Sequence, residues 1–286
     1  MRDFSNNTKD FGLNTATLGH NIDGAGAGWS PEEVIDLCAQ KGLGSITFWD
    51  REFKHDAQHI GDYAKGAGIE ISSLCRAPFL VGPLAATTRE QVLDGFFRVI
   101  DMGAALNAHS VVVCVGGVVP DSHDMQYSLD QVSEIMATAA ERADRAGVKL
   151  ALEPLHPVYA GDRSCLVTIR DTVDMIEGIN HSAVGVAIDV YHVWWDLTLG
   201  DQLQRLNPEQ ILGYHLCDWL ANTTDVLLDR GMMGDGVANL RRIRQAVESA
   251  GYQGSCEVEI FSSQNWWKRD PEEVLDICIQ RFQNVC

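Results

Sequence analysis

The sequence lacks the features that direct a chain to a membrane or out of the cell. No apolar run reaches the roughly 20 residues that cross a bilayer, and the first ten residues, MRDFSNNTKD, lack the apolar core of a signal peptide. The eight cysteines include no CxxC pair and lie mostly in apolar segments, which favours reduced, buried thiols over a disulfide framework. We therefore expect a cytoplasmic protein with no membrane partner.

Positive charge is scarce. The chain of 286 residues carries 22 Lys and Arg against 40 Asp and Glu, which gives a formal net charge of −18. A chain this acidic repels the phosphates of nucleic acids and the surface of anionic membranes, so we expect it to bind no nucleic acid. A small neutral substrate, or one whose charge a bound metal neutralises, fits this composition better.

Strand-like and helix-like segments alternate along the whole chain, and no linker interrupts them. The first helix, for example, is predicted to begin after a Ser30 cap, which forms a capping box with Glu33, and to end at Gly42. Eight such pairs predict an α/β fold, a (β/α)8 TIM barrel that forms a single domain over residues 1–286. A doubly wound open sheet is the alternative, but GAGAG at 24–28 is not followed by the helix that a phosphate-binding turn requires. The predicted strands are FGLNTATLG, SITFWD, EISSLCRA, SVVVCVGG, KLALEPL, VGVAIDVYH, ILGYHLCDW and GSCEVEIFS.

Four metal-competent side chains stand near the ends of the last four predicted strands: Glu153, Asp189, His215 and Glu259. In a barrel of this kind, the carboxyl ends of the strands and the loops that follow them form the active site. Because side chains alternate along a strand, placing these four inward directs small or polar neighbours into the barrel and branched apolar ones towards the helices. In strand seven, this register predicts Ile211 inside the barrel and Leu212 outside.

The same register in four strands favours a metal site over a chance arrangement, although a single inward acid can have a structural role. Three carboxylates crowded together without a cation would repel one another, and a divalent cation removes that cost. Three carboxylates and one neutral imidazole suit Mn²⁺, with Mg²⁺ or Co²⁺ as alternatives, better than a thiolate-rich structural Zn²⁺ site does. We predict one divalent metal ion bound by Glu153, Asp189, His215 and Glu259.

Five short stretches carry a resemblance to a known family. LEPL, DVYH, GYHLCD, GDG and GYQGSCEVE match, in residue type and order, the xylose-isomerase-like TIM barrel superfamily, and the resemblance covers nearly the whole chain. That superfamily holds sugar isomerases and epimerases, inosose dehydratase and endonuclease IV. The resemblance implies a divalent-metal-dependent sugar isomerase or epimerase whose metal is held at the ends of strands five to eight. It also suggests a homodimer or a homotetramer.

The resemblance further implies a mechanism. The metal would chelate a carbonyl oxygen and the neighbouring hydroxyl of a keto sugar and stabilise an enediolate. Glu153 and Glu259 would form the acid/base pair, one removing the proton and the other returning it. His192, three residues after Asp189, resembles the histidine that contacts substrate in ketose epimerases. Because strand eight ends in Glu259 rather than in a glycine-rich turn, we expect a non-phosphorylated carbohydrate substrate.

Two positions depart from the ketose 3-epimerase pattern. Tyr159 replaces a second glutamate, and Ala221 replaces an arginine that follows the metal-binding histidine. HLCD, with Asp218 three residues after His215, looks more like the HxKD pattern of inosose dehydratase. A metal-dependent dehydratase or β-eliminating lyase acting on a keto-inositol or a 3-keto-glycoside is therefore the alternative function. A second alternative is a barrel that binds a metal without catalysis.

Other side chains are predicted to contact substrate, each with a structural alternative. His156 is interpreted as a substrate contact or as a loop residue held between prolines. Arg163 can bind substrate oxygens or form an ion pair at a helix entry, and Arg230 can contact substrate or a loop carboxylate. Trp49 can form an apolar wall for a sugar ring or pack in the core. Together with His192, these residues form the predicted substrate site.

Three further features have predicted structural roles. Glu257 is predicted inside the barrel, with Lys149 at the start of strand five as its partner. Trp266 and Trp267 follow strand eight and are interpreted as part of a lid or an oligomer contact. GDG at 234–236 is predicted to be a turn that seats the next helix, with a phosphate cradle as the alternative.

Overall fold

Eight parallel strands close into a barrel in the computed structural model, which describes residues 1–53 and 56–286. Neighbouring strands pair in chain order, and β1 pairs with β8 to complete the ring. This closed order confirms the predicted (β/α)8 TIM barrel and excludes the open doubly wound sheet. The strands are β1 Phe11–Asn14, β2 Ser45–Trp49, β3 Glu70–Cys75, β4 Ser110–Val113, β5 Lys149–Leu152, β6 Val184–Asp189, β7 Ile211–Leu216 and β8 Cys256–Val258.

Helices connect the strands and surround the barrel. In the described chain, the α-helices are α1 Pro31–Lys41, α2 Ala57–Ala67, α3 Arg89–Ala105, α4 Met125–Ala146, α5 Ile169–Ile179, α6 Val190–Val193, α7 Leu199–Leu203, α8 Leu240–Ser249 and α9 Pro271–Val285. Short 3₁₀ segments span Thr15–Leu18, Asp50–Glu52, Pro157–Tyr159, Pro208–Gln210 and Trp266–Lys268. The predicted cap of α1 is confirmed: Ser30 Oγ accepts the Glu33 N–H at 3.3 Å, and Gly42 ends the helix with φ of 77°.

Side-chain alternation divides the barrel into an outer and an inner layer. Branched apolar residues of the strands face the helices and join them in one large apolar cluster. The inner layer holds small or polar residues, among them Gly12, Ser45, Ser73, Ser110 and Ala151. Ser73 and Ser110, for example, share a hydrogen bond of 3.2 Å between their hydroxyls. The interior is therefore more polar than that of most TIM barrels, where Val, Ile and Leu dominate.

The start of β7 differs from the predicted register. Ile211 packs with the helix layer, whereas Leu212 packs inside the barrel against Ala151. The pairing of β7 with β6 passes from Ile211 to Gly213 and skips Leu212, which inserts one residue into the strand. A slip of one residue turns side chains to the opposite face, so the prediction for Ile211 and Leu212 was wrong. Beyond the irregularity the register is as predicted, and His215 faces inward.

The eight cysteines all lie in the described chain, where each is buried and none forms a disulfide. This confirms the prediction of reduced, buried thiols. As for membranes, residues 1–53 and 56–286 contain no helix that combines the length and the apolar character needed to cross one.

Candidate active site

Four buried side chains meet at the carboxyl end of the barrel. Glu153 directly follows β5, Asp189 ends β6, His215 lies in β7 and Glu259 directly follows β8. One ligand atom from each residue lies within 4.8 Å of those from the other three. Each of the four residues is at most 5% exposed. The structure thus brings together all four predicted metal ligands.

His215 connects the two glutamates. Its Nδ1 lies 3.2 Å from Glu153 Oε1 and 3.8 Å from Glu259 Oε2. Its Nε2 points the other way, into the barrel, where a Cβ on Gly213 would lie 3.2 Å from it. Nδ1 is therefore the ring nitrogen that faces the carboxylates and is available to a cation.

Arg230 is a buried cation within the same group. Its Nη1 lies 2.8 Å from Asp189 Oδ2 and 3.1 Å from Glu259 Oε2. The guanidinium carbon lies 4.5 Å from the ring centre of Tyr191 and 4.1 Å from that of Phe261. Two carboxyl groups and two aromatic faces thus stabilise a charge that burial opposes. Arg230 also lines the adjoining cavity, so its position combines an ion pair with access to a substrate.

The long segment between β7 and α8 carries Arg230 to the site. Asp218 organises this segment, because its carboxylate accepts hydrogen bonds of 2.9–3.0 Å from the backbone N–H groups of Trp219, Gly234 and Ala238. The backbones of Asp218 and Gly231 also exchange two hydrogen bonds of 2.9 Å, next to Arg230. A Cβ on Gly236 would lie 2.2 Å from a carbonyl oxygen, so GDG forms a close turn. Asp218 therefore folds the segment and does not line the cavity.

The three carboxyl groups differ in their electrostatics. Burial raises the pKa of Glu259 to about 8, and Arg230 and His215 only partly oppose it. Burial acts in the same direction on Asp189, but the charges of Arg230 and His215 and a hydrogen bond from Glu259 together outweigh it and lower the pKa to about 2. At Glu153, burial is outweighed by the hydrogen bond with His215 and the charge of that ring together, so the pKa is lowered. Glu153 and Asp189 are therefore ionised at neutral pH, whereas Glu259 holds a proton in the metal-free protein.

The His215 ring is also protonated, and therefore positively charged, in the metal-free protein. Burial would lower its pKa, but the hydrogen bond to Glu153 and the charge of Glu259 raise it to about 10. The thiols of Cys114 and Cys217 border the site, and burial raises the pKa of each well above its usual value, so both stay neutral. The donor set is thus three carboxyl groups and one imidazole without a thiolate, and it fits a divalent cation that replaces the two protons.

His192 lies beside Asp189, as the DxxH spacing predicts. Its Nε2 is 3.6 Å from Asp189 Oδ2, and its Nδ1 accepts the backbone N–H of His156 at 3.1 Å. Because Nδ1 accepts a hydrogen bond, the neutral ring carries its proton on Nε2. Burial lowers the pKa of His192 to about 4, so the ring is neutral at pH 7. His192 lines the cavity with its N–H donor.

His156, one of the predicted substrate contacts, packs among aromatic rings. Its ring lies outside the cavity lining, stacked on Trp219 with 4.6 Å between ring centres and edge-on to Trp195 at 5.9 Å. Its Nδ1 accepts the backbone N–H of Val158 at 3.2 Å. The loop after β5 thus turns this side chain into an aromatic cluster. The backbone N–H of His156 contributes to the site, because it donates a hydrogen bond to the His192 ring.

A cavity of about 290 Å³ reaches Glu153 and Glu259. Trp49 and Arg163, both predicted substrate contacts, line it. Trp49 Nε1 donates to Asn14 Oδ1 at 2.9 Å, which fixes the indole. The Arg163 side chain is 32% exposed, with its Nε 3.7 Å from Asp162 Oδ2. Other residues in the lining include Arg76, Phe79, Val112, Leu155, Leu227, Leu228 and Phe261.

Neutral groups from the first half of the barrel complete the site, and none was predicted from the sequence. Asn14 Nδ2 donates to Glu259 Oε1 at 2.8 Å, and the Cys114 thiol donates to Glu153 Oε2 at 3.2 Å. Cys75 Sγ lies 3.7 Å from Asn14 Nδ2. The same criterion, a polar residue that faces inward at the end of a strand, would have found them if it had been applied to the first four strands as well as to the last four.

Tyr159 replaces the expected second glutamate and holds the segment that carries Arg230. Its hydroxyl donates to the Val226 carbonyl oxygen, which also accepts from the Tyr191 hydroxyl at 2.7 Å. Burial raises the pKa of Tyr159 to about 12, so the hydroxyl stays protonated. Tyr159 lines the cavity as a neutral group, whereas a glutamate there would add a fourth carboxylate.

Two interpretations of residues around strand eight are corrected. Glu257 is buried and accepts a hydrogen bond from Thr47 Oγ1, whereas Lys149 Nζ donates to the Ser182 carbonyl oxygen at 2.8 Å. Lys149 is partly exposed, so its side chain makes this hydrogen bond at the rim of the barrel and not in the interior beside Glu257. Trp266 and Trp267 form no lid, because both are buried, and Trp267 Nε1 donates to the Ala16 carbonyl oxygen at 2.7 Å.

The fold and the site define a class of protein. The family described as xylose isomerase-like TIM barrel matches residues 35–279, and the chain belongs to this family. Protein SMc04130 from Sinorhizobium meliloti 1021 has a solved structure with 39% sequence identity and a TM-score of 0.89, covering 98% of this chain and 99% of that one.

Two other proteins are similar at lower identity. The structure of the IOLI protein with a binding zinc atom has a TM-score of 0.80 at 18% identity, covering 96% of this chain and 97% of that one, which shows the shared fold. Inosose isomerase from Halalkalibacterium halodurans is 24% identical over 144 residues. That match spans 49% of this chain and 49% of the relative, about half the length of each.

Proposed function

We propose that this protein is a divalent-metal-dependent sugar isomerase or epimerase that acts on a non-phosphorylated keto sugar. The observation that carries the proposal is the group of four ligand atoms within 4.8 Å at the cavity, from Glu153, Asp189, His215 and Glu259. The similarity to an inosose isomerase and to a zinc-binding neighbour supports it. A cytoplasmic location and a homodimer or homotetramer remain predictions from the sequence.

The four ligands would hold the cation, which we propose to be Mn²⁺, with Mg²⁺ or Co²⁺ as alternatives. When bound, the cation would polarise the substrate carbonyl and stabilise the negative charge that develops on its oxygen. With His215 neutral, the charges of the three carboxylates are matched by those of a divalent cation and Arg230. The group as a whole is then close to neutral, which suits a substrate without charge at the reacting end.

Glu153 and Glu259 are suited to opposite halves of the proton transfer. The lowered pKa of Glu153 keeps it ionised, so it can remove the proton from the carbon beside the carbonyl. The Cys114 thiol and His215 orient it by hydrogen bonds. Glu259 is oriented by the Asn14 amide, so it would be the partner that returns a proton to the same or the neighbouring carbon.

The remaining cavity residues would orient the sugar. His192 directs its Nε2–H towards the ligand group and can donate to a substrate oxygen. Trp49 offers a fixed aromatic face, which suits the apolar face of a sugar ring. Arg163 stands at the more exposed part of the lining, where it can bind the hydroxyls of the far end of the substrate.

His192 also favours a second candidate function, a dehydratase or β-eliminating lyase on a keto-inositol or 3-keto-glycoside. Elimination needs a group that gives a proton to the departing oxygen, in addition to the base that removes the carbon-bound proton. The Nε2–H of His192, which lies 3.6 Å from Asp189 Oδ2 in a residue that lines the cavity, is such a group. The HLCD motif no longer distinguishes the two functions, because Asp218 folds the loop.

Product analysis separates the candidates. The purified protein is loaded with Mn²⁺ and incubated with a panel of keto-inositols, keto-hexoses and 3-keto-glycosides, and the products are identified by NMR and mass spectrometry. A product of unchanged mass supports the isomerase or epimerase. Loss of water or of an alcohol, with the ultraviolet absorbance of an enone, supports the lyase. A protein that binds the metal and converts nothing on the panel supports the non-catalytic barrel.

A further inference from the structure

A fourth acid, Glu257, lies in the barrel below the metal ligands. It is 1% exposed, and it pairs in register with His215 on β7 and with Gly12 on β1. Residues in register on parallel strands point to the same face of the sheet, so the side chains of Glu257 and His215 both enter the barrel. Thr47 Oγ1 donates a hydrogen bond to Glu257 Oε2 and anchors that oxygen.

Two polar atoms beside this carboxylate have no partner. Among the described residues, His215 Nε2 and Ser45 Oγ are buried without a hydrogen bond. Ser45 is close to Glu257, because a Cβ on Gly12 would lie 2.3 Å from Ser45 Oγ and 2.8 Å from Glu257 Cγ. Buried polar groups without partners are rare in native proteins, so each such atom calls for an explanation. Here one carboxylate borders both.

Two neighbouring positions are glycines, although Leu212 fills part of the interior beside Ala151. Gly213 lies under Nε2 of His215, and Gly12 lies under Glu257. TIM barrels usually fill these levels with branched apolar side chains. A buried water typically makes two to four hydrogen bonds, and the Nε2–H, the Glu257 carboxylate and the Ser45 hydroxyl offer that number of partners.

We propose that Glu257 is a positioning residue for the metal site. Through one buried water it accepts the proton on His215 Nε2, which fixes the tautomer whose Nδ1 is free to bind the cation. Histidines that bind metals commonly donate their other N–H to a carboxylate or a water, and loss of that contact weakens metal binding. The inference rests on the metal site of the proposed function. Glu257 touches neither the cation nor the substrate and acts through His215.

Metal affinity is the first test. Zn²⁺ is titrated into the wild-type protein and its variants in competition with a chromogenic chelator. We expect Glu257→Ala to weaken Zn²⁺ binding by about 10- to 100-fold and Glu257→Gln to weaken it by less, because glutamine keeps an acceptor without the charge. Ser73→Ala is the matched control, since it removes a buried hydroxyl of the barrel interior that bonds to Ser110. Its affinity should equal that of the wild type.

The tautomer of His215 is the second test, and a purely structural role would not change it. In the ¹⁵N-labelled, Zn²⁺-loaded wild-type protein, we expect the ring proton on His215 Nε2 to be protected from exchange with solvent. We also expect His215 Nδ1 to show the ¹⁵N chemical shift of a metal-bound nitrogen. In Glu257→Ala, the Nε2 proton should exchange faster. Glu257→Gln preserves the shape of the side chain. If Glu257→Ala does not fold, the Zn²⁺ affinity and the His215 signals of Glu257→Gln test the role of Glu257.

The outcomes are distinct. Wild-type affinity and wild-type His215 signals in Glu257→Gln and in any folded Glu257→Ala would overturn the inference, even if the variants melt at a lower temperature. A direct bond from Nε2 to Zn²⁺ would overturn it as well. A wild-type protein that binds no Zn²⁺ would instead overturn the metal site of the proposed function, on which the inference depends.

Discussion

The two halves of the barrel contribute different chemistry to one site. Strands β5 to β8 supply the four ionisable ligands and, through the segment after β7, the cation of Arg230. Strands β1 to β4 touch those ligands with neutral donors, the amide of Asn14 and the thiol of Cys114. Under the proposed function, the second half would set the charge of the four-residue group and carry the proton transfer, while the first half would orient that group by hydrogen bonds.

The largest effect should follow from a change to the base in the second half. Glu153→Gln keeps the size of the side chain but removes the group that takes the proton, so we expect kcat to fall by about 10²- to 10⁴-fold. Steady-state kinetics with metal in excess measures it. Glu70→Gln, at the exposed start of β3, is the control and should retain wild-type activity. A kcat of Glu153→Gln within a few-fold of wild type would mean that the second half does not carry the reaction.

Arg230→Met tests the charge balance of the second half. In the metal-free protein this change leaves the ionised carboxylate of Asp189 without its cation and removes a hydrogen bond to Glu259, and breaking such a buried pair costs about 3–5 kcal/mol. Thermal unfolding should therefore show a large fall in Tm without metal. We expect Mn²⁺ to restore much of it, because the cation replaces the missing positive charge. An equal fall in Tm with and without Mn²⁺ would contradict this account.

The pH dependence of metal binding should report the second half alone. In the metal-free protein His215 and Glu259 hold protons at pH 7, since their pKa values are raised to about 10 and about 8. A cation needs both groups unprotonated, so about two protons should leave per ion at pH 7, and affinity should rise with pH.

The proton count distinguishes the two halves further. Above pH 8 the release should fall towards one proton, and above pH 10 the affinity should level off. The Cys75 and Cys114 thiols contribute nothing in this range, because burial raises the pKa of each well above its usual value. Calorimetry in buffers of different ionisation enthalpy measures the release. A binding affinity that is constant from pH 6 to pH 8 would be inconsistent with these shifts.

The smallest effect should come from the first half. Trp49→Phe removes the hydrogen bond to Asn14 but keeps an aromatic face in the cavity. Loss of one neutral hydrogen bond is worth about 1 kcal/mol, so we expect KM to rise roughly fivefold with little change in kcat. Kinetics on the substrate identified from the panel measures both. A fall in kcat comparable to that of Glu153→Gln would remove the distinction between the halves.

The sequence was sufficient for the barrel and the four metal-ligand positions. Strand alternation has a period of two, and active sites of such barrels lie at the carboxyl ends of strands, so Glu153, Asp189, His215 and Glu259 could be placed together before the structure was known. Local rules also sufficed for the capping box of α1, because it depends on residues three apart.

The rest depends on the path of the chain in three dimensions. Leu212 enters the barrel because of an irregularity in the pairing with β6 that no local pattern signals. The loop after β5 turns the His156 ring onto Trp219, and the loop after β7 brings Arg230 onto two carboxylates. Asn14 is an ordinary strand residue in the sequence, and it becomes a site residue only because closure of the barrel brings β1 against β8.

Exchange with solvent deuterium shows whether the protein removes a carbon-bound proton with the help of a metal and Glu153. The wild-type protein and Glu153→Gln, each with and without Mn²⁺, are incubated in D₂O with a keto sugar or keto-inositol, and deuterium at the carbon beside the carbonyl is followed by NMR. We expect the metal-loaded wild type to incorporate deuterium, and its metal-free form and both forms of Glu153→Gln to incorporate little or none. Conversion of the substrate without deuterium at that carbon, or wild-type exchange rates in metal-loaded Glu153→Gln, would contradict this expectation.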